Sequence, residues 1–110
     1  MKIYEKLGIK KSLMQELINV FKKYVEIEKV VVFGSRAQGY SRLNSDIDIC
    51  IFGDSVLNDK YKIKDEIDIL NTGFSFDILF YNEIINQKLK ANIERDGVII
   101  YEKGKSSSQA

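Results

Sequence analysis

Asp46 and Asp48 alternate with isoleucines in "SDIDICIF" (45–52), a stretch whose other residues suit a buried strand. Side chains alternate along a strand, so both carboxylates fall on one face while Ile47, Ile49 and Ile51 fall on the other. Their Cα atoms then lie about 6.5–7 Å apart, two residues of strand rise. Carboxylates held that close repel each other unless positive charge stands between them. "FSFDILFY" (74–81) repeats the anomaly, with Phe74, Phe76, Ile78 and Phe80 on one face and Asp77 on the other beside Ser75 and Leu79. If the two strands are neighbours, Asp46, Asp48 and Asp77 converge on one patch of sheet.

The chain contains no histidine and a single cysteine, Cys50. Three carboxylates without imidazole or thiolate describe a site for a hard cation, Mg²⁺ above all. Mg²⁺ takes few protein carboxylates and fills its octahedron with water and substrate phosphate. Two such ions can clamp the attacking and leaving oxygens of an in-line phosphoryl displacement. Upstream, Gly34 and Ser35 end the apolar run "KVVVF". A Gly-Ser turn opening a short helix offers backbone N–H groups and a hydroxyl to an anion. Alone, Asp-Ile-Asp reads more readily as a strand start with solvated acids, and Gly-Ser as a plain turn with serine as helix cap. In series they point to nucleotide chemistry.

Positioning these groups requires a sheet. Leu13, Leu17, Phe21 and Tyr24, with Val20, recur at helical spacing, which predicts an amphipathic helix over 12–25. Ser12 with Gln15 resembles a capping box at its start. Strands are expected at 29–33, 46–52, 74–81 and 98–101. Val56, Ile63, Ile67 and Leu70 predict a helix within 54–73, starting near Asn58 and ending near Gly73. A further helix is expected from an Asn82 cap to Arg95, with Ile85, Leu89 and Ile93 inward and Gly97 as terminator. The connector of about twenty residues between the second and third strands suits a crossover between parallel neighbours. The shorter connector between the first and second favours an antiparallel pair. The fold class is therefore α+β, a mixed sheet flanked by helices.

The 110 residues make one domain, expected over 1–103, with 104–110 as a disordered tail. Lys and Arg total 17 against 16 acids, a net charge of +1 that argues against a nucleic-acid or membrane coat. One cysteine excludes an internal disulfide, and Cys50, flanked by Ile49 and Ile51, is expected to pack inside the sheet. No stretch approaches the roughly 20 apolar residues of a membrane span, and "MKIYEKLGIKK" lacks a signal-peptide core. A cytoplasmic setting is expected.

The string "GSRAQGYSRLNSDIDI" (34–49) resembles the signature of the DNA polymerase β-like nucleotidyltransferase superfamily, and more narrowly that of the minimal nucleotidyltransferase (MNT) proteins. The pattern is Gly-Ser, ten residues, Asp-x-Asp, and residues 36–45 supply that spacer. "SFDILFYNE" and "NIERDGVIIYEK" extend the likeness, so that it runs from about residue 12 to 103. Gln38 stands where many relatives carry Arg, and Leu43 and Asn44 stand where they often carry Pro and Asp.

The resemblance implies a polymerase β palm-like fold and a division of labour. Gly34 and Ser35 would hold the triphosphate of a nucleoside triphosphate, with Arg36 and Arg42 as further phosphate partners. Asp46, Asp48 and Asp77 would carry Mg²⁺, two ions in all, and Asp77 would help the attacking hydroxyl lose its proton. Tyr40, in the intervening loop, is a candidate to line the nucleotide pocket. MNT proteins are commonly paired with HEPN toxins, so the resemblance implies a type VII-like antitoxin that transfers AMP from ATP to a tyrosine of such a toxin. Larger superfamily members add acceptor-binding domains for which these residues leave no length. The alternatives are an antitoxin that neutralises its partner by contact alone, or a transferase acting on a small molecule such as an antibiotic.

Overall fold

The structure, a computed structural model, describes residues 2–34, 37, 46–70 and 75–104. Lys29–Phe33 form β1, Ile47–Phe52 β2, Phe76–Phe80 β3 and Val98–Glu102 β4. They build one sheet in the order β3-β2-β1-β4. β1 and β2 run antiparallel, and β2 and β3 run parallel, as the connector lengths predict. β4 joins the other side of β1, antiparallel, with a register slip between Val30 and Val31.

One face of the sheet carries the main core. Ile47, Ile49 and Ile51 of β2 meet Ile78 and Phe80 of β3 there. Helix α2 (Lys11–Lys23) covers them with Leu13, Met14, Leu17, Ile18, Val20 and Phe21, all buried. Burying such side chains is worth roughly 1.5–3 kcal/mol apiece. That sum explains why α2 forms without the capping box expected at Ser12. The helix starts at Lys11, its N-cap is Lys10 with no side-chain bond, and Gln15 instead donates to Asn19 at 3.2 Å. A missing cap costs about 1 kcal/mol, far less than the buried face returns. A four-residue helix that the sequence reading left unassigned, α1 (Ile3–Lys6), precedes α2, and the turn after it buries Leu7 and Ile9.

The stretch expected as a helix within 54–73 opens as a 3₁₀ turn at Val56–Asp59 and becomes helix α3 over Lys60–Asp68. Val56, Ile63 and Ile67 are buried as the spacing predicts, while Gly73 lies outside the described residues. α3 is tied to the end of α2 by Glu66, which accepts from Lys23 at 2.7 Å and from the Tyr24 hydroxyl. Lys23, and next the Tyr24 hydroxyl, hold the Glu66 carboxyl below the usual range, while that same bond pushes the phenol up to about 12.

Tyr24→Phe is expected to lower stability by about 1 kcal/mol at pH 7, measured by urea denaturation. A carboxyl depressed in the fold stabilises above its unfolded pKa of about 4.3 and loses that contribution as pH falls through the folded value. The gap between variant and wild type should therefore narrow as pH falls below that unfolded value.

On the opposite face, α4 (Gln87–Asp96) packs over Val31 and Cys50 through Ile93 and Leu89. Its cap is Asn86, whose side chain accepts from the Leu89 N–H at 3.0 Å. The expected cap, Asn82, is spent elsewhere, donating to the Gly53 carbonyl at 3.2 Å and fixing the Tyr81–Glu83 turn to the end of β2. Ile85 therefore precedes the helix and is 89% exposed rather than inward. Gly97 ends α4 as expected, but with φ −68°. Its role is space, because a Cβ there would overlap Val31 and the Ile93 carbonyl. Residues 105–110, most of the expected tail, lie outside the described residues.

Candidate active site

The pairings of β2 line up the functional groups. Asp48 stands opposite Phe33 of β1 on one side and level with Asp77 of β3 on the other. Neighbouring strands lie about 4.8 Å apart, so the two carboxylates leave the same face of the sheet side by side. The face is that of Cys50 and α4, since Ile47, Ile49, Ile78 and Phe80 all turn into the opposite core. Asp48 is half-buried, whereas Asp77 is exposed on the edge strand. Asp46 is exposed and lies one residue ahead of β2, which begins at Ile47 instead of the expected 46.

Gly34 follows β1 directly and adopts φ +76°, a left-handed conformation that glycine enters without penalty. A Cβ at this position would overlap Asp48 Oδ2 and sit 3.4 Å from its Cγ. The turn backbone thus lies against the carboxylate, and only hydrogen fits between them. Ala37, further along, is buried. Ser35, Arg36, Tyr40 and Arg42, the other candidates for the phosphate and nucleotide contacts, lie outside the described residues.

Among the described residues, no three His, Cys, Asp or Glu side chains stand close enough to hold a metal ion, so the strand pairing brings Asp48 and Asp77 together but does not gather Asp46 with them as expected. The donor set still suits Mg²⁺. Two adjacent carboxylates, with oxygen ligands only and a glycine cradle beside them, leave most of an octahedron to water and phosphate. Cys50 contributes nothing to this chemistry. It is buried under α4, and burial pushes its thiol up to about 12.

Beyond Gly34 the site continues into a cavity of about 270 Å³, lined by Phe33, Gly34, Leu89, Asn92, Arg95 and Asp96. The apolar residues of α4, from which the helix is expected, do not include this face. The spacing of Leu89, Asn92 and Asp96, at i, i+3 and i+7, marks this second face.

The family model for polymerase beta nucleotidyltransferases matches residues 15–106. The chain belongs to this nucleotidyltransferase family. No curated protein gives a significant match. Solved structures share the fold at low identity. A putative nucleotidyltransferase from Sulfolobus solfataricus is 23% identical with a TM-score of 0.58, over 86% of this chain and 82% of its own. A toxin–antitoxin structure with AMP-PNP is 18% identical with a TM-score of 0.62, over 87% and 77%. An MntA–HepT toxin–antitoxin structure is 13% identical with a TM-score of 0.58, over 90% and 78%. The mixed sheet with flanking helices of this nucleotidyltransferase matches the fold of these neighbours. No described helix of the nucleotidyltransferase is long and apolar enough to cross a membrane.

Proposed function

We propose that this nucleotidyltransferase moves AMP from ATP to a hydroxyl of a partner protein, a tyrosine of a HEPN-family toxin, and so serves as its antitoxin. The observation that carries the reading is the in-register pair Asp48 and Asp77 beside the left-handed Gly34. Structural neighbours that include toxin–antitoxin complexes, one with AMP-PNP, support the choice of nucleotide and partner.

Gly34 and Ser35 hold the triphosphate, Gly34 because nothing bulkier fits against Asp48. Arg36 and Arg42, close by in sequence, would add charge to the phosphates. Asp48 and Asp77, level on paired strands, would hold Mg²⁺, with Asp46 drawn in as the third carboxylate when the ion binds, and the ion would supply charge neutralisation at the triphosphate. Asp77, exposed on an edge strand, is reachable by an acceptor from solution. It orients the incoming hydroxyl and takes its proton as the oxygen–Pα bond forms and the bond to the leaving pyrophosphate breaks. Carboxylates set on paired strands are rigid, so the reacting atoms are aligned before the reaction begins.

The test is incubation of the protein with α-labelled ATP, Mg²⁺ and the product of the neighbouring gene. Label on a tyrosine of that partner, lost with Asp46→Asn, is the expected result. Neutralisation of the partner by both forms without label would show an antitoxin that works by contact alone.

A further inference from the structure

The cavity beside Gly34 has two unlike walls. Phe33 and Leu89, both half-buried, pack against the Val31, Cys50 and Ile93 cluster and form the apolar one. The polar wall is a hydrogen-bonded group of side chains on the last turns of α4. Arg95 donates through Nε and Nη2 to the Asp96 carboxylate at 3.1 and 2.9 Å, and through Nη2 to Asn92 Oδ1 at 3.1 Å. These bonds use three of the five guanidinium N–H groups and leave the two on Nη1. The Asn92 amide keeps its two donors.

We propose that this cavity holds the nucleoside end of the nucleotide, with the base against Phe33 and Leu89 and its polar edge or ribose on Asn92 and Arg95. The inference rests on the reading that Gly34 holds the triphosphate. Gly34 lines the cavity and also touches Asp48, so a nucleotide whose phosphates cross this glycine has its nucleoside within reach of α4. The volume of about 270 Å³ is just below the ~300–1,000 Å³ common for small-molecule sites. It suits one planar ring system with its sugar and is too small for a peptide segment. An aromatic ring beside paired amide and guanidinium groups suits a base, which offers a flat face and a hydrogen-bonding edge. The competing account is a surface ion pair between Arg95 and Asp96, which would be indifferent to nucleotide.

Calorimetric titration of the full chain with Mg²⁺-ATP and Mg²⁺-tripolyphosphate separates these accounts. Wild type should bind ATP more tightly than tripolyphosphate. Asn92→Ala and Arg95→Gln should each weaken ATP binding about tenfold, some 1.4 kcal/mol, and leave tripolyphosphate binding unchanged. Both positions are off the main core, and circular dichroism of the variants checks that they fold. ATP affinity unchanged in both variants overturns the inference while leaving the triphosphate reading intact. Wild-type protein that binds neither ligand overturns both.

Discussion

Asp48→Asn is expected to reduce nucleotidyl transfer about a thousandfold, a loss of some 4 kcal/mol of transition-state stabilisation. The substitution keeps size and shape, so the fold should be retained and the change confined to charge. Asp48 is the member of the carboxylate set placed at the centre of the site. It is level with Asp77 across β2 and β3 and in contact range of the Gly34 turn. Removing its charge leaves the exposed Asp46 and Asp77 without the half-buried carboxylate that, on the proposed reading, joins metal to phosphate. Initial rates of labelled AMP transfer, with far-UV circular dichroism as the folding control, provide the check. A rate within fivefold of wild type would remove Asp48 from the chemistry.

Gly34→Ala should be nearly as damaging, for a different reason. The added methyl meets Asp48 Oδ2, so either the turn or the carboxylate must move. A displacement of about 1 Å at a reacting group costs on the order of a hundredfold in rate. The left-handed backbone adds a stability penalty of about 1–2 kcal/mol for any residue with a Cβ. Gly104→Ala separates the two effects. Gly104 also has positive φ, at +81°, but its Cβ would meet nothing within 4 Å. That variant should therefore keep full transfer activity, whereas Gly34→Ala should lose about a hundredfold together with a melting temperature lower by several degrees.

Much of this arrangement is legible in the residues because strands impose a period of two. Once "SDIDICIF" is read as a strand, Ile47, Ile49 and Ile51 must face one way and Asp48 the other, and the core confirms it. The length of the connector to β3 carries the parallel pairing, and with it the meeting of Asp48 and Asp77. β1 covers 29–33 as expected, its three valines flanked by Lys29 and Phe33 and followed by Gly34.

Helix starts were harder to read, since several polar residues offer the same local signal. Asn82 is the cap expected from sequence, but its side chain donates to the Gly53 carbonyl and Asn86 caps the helix instead. Ser12 and Gln15 have the spacing of a capping box, yet burial of Leu13 and Met14 sets the helix one residue earlier, at Lys11. The polar face of α4 went unread because hydrophobic periodicity reports what a helix buries and is silent on what it shows to a site. Nor does the sequence indicate that β4 pairs with β1, next to which Gly97 leaves no room for a Cβ beside Val31.

The most direct test is a crystal structure of the chain grown with Mg²⁺ and a non-hydrolysable ATP analogue. The account predicts metal density between the Asp48 and Asp77 carboxylates and the triphosphate lying against the backbone of Gly34. A nucleotide bound elsewhere, with the two carboxylates lacking any metal between them, would contradict it.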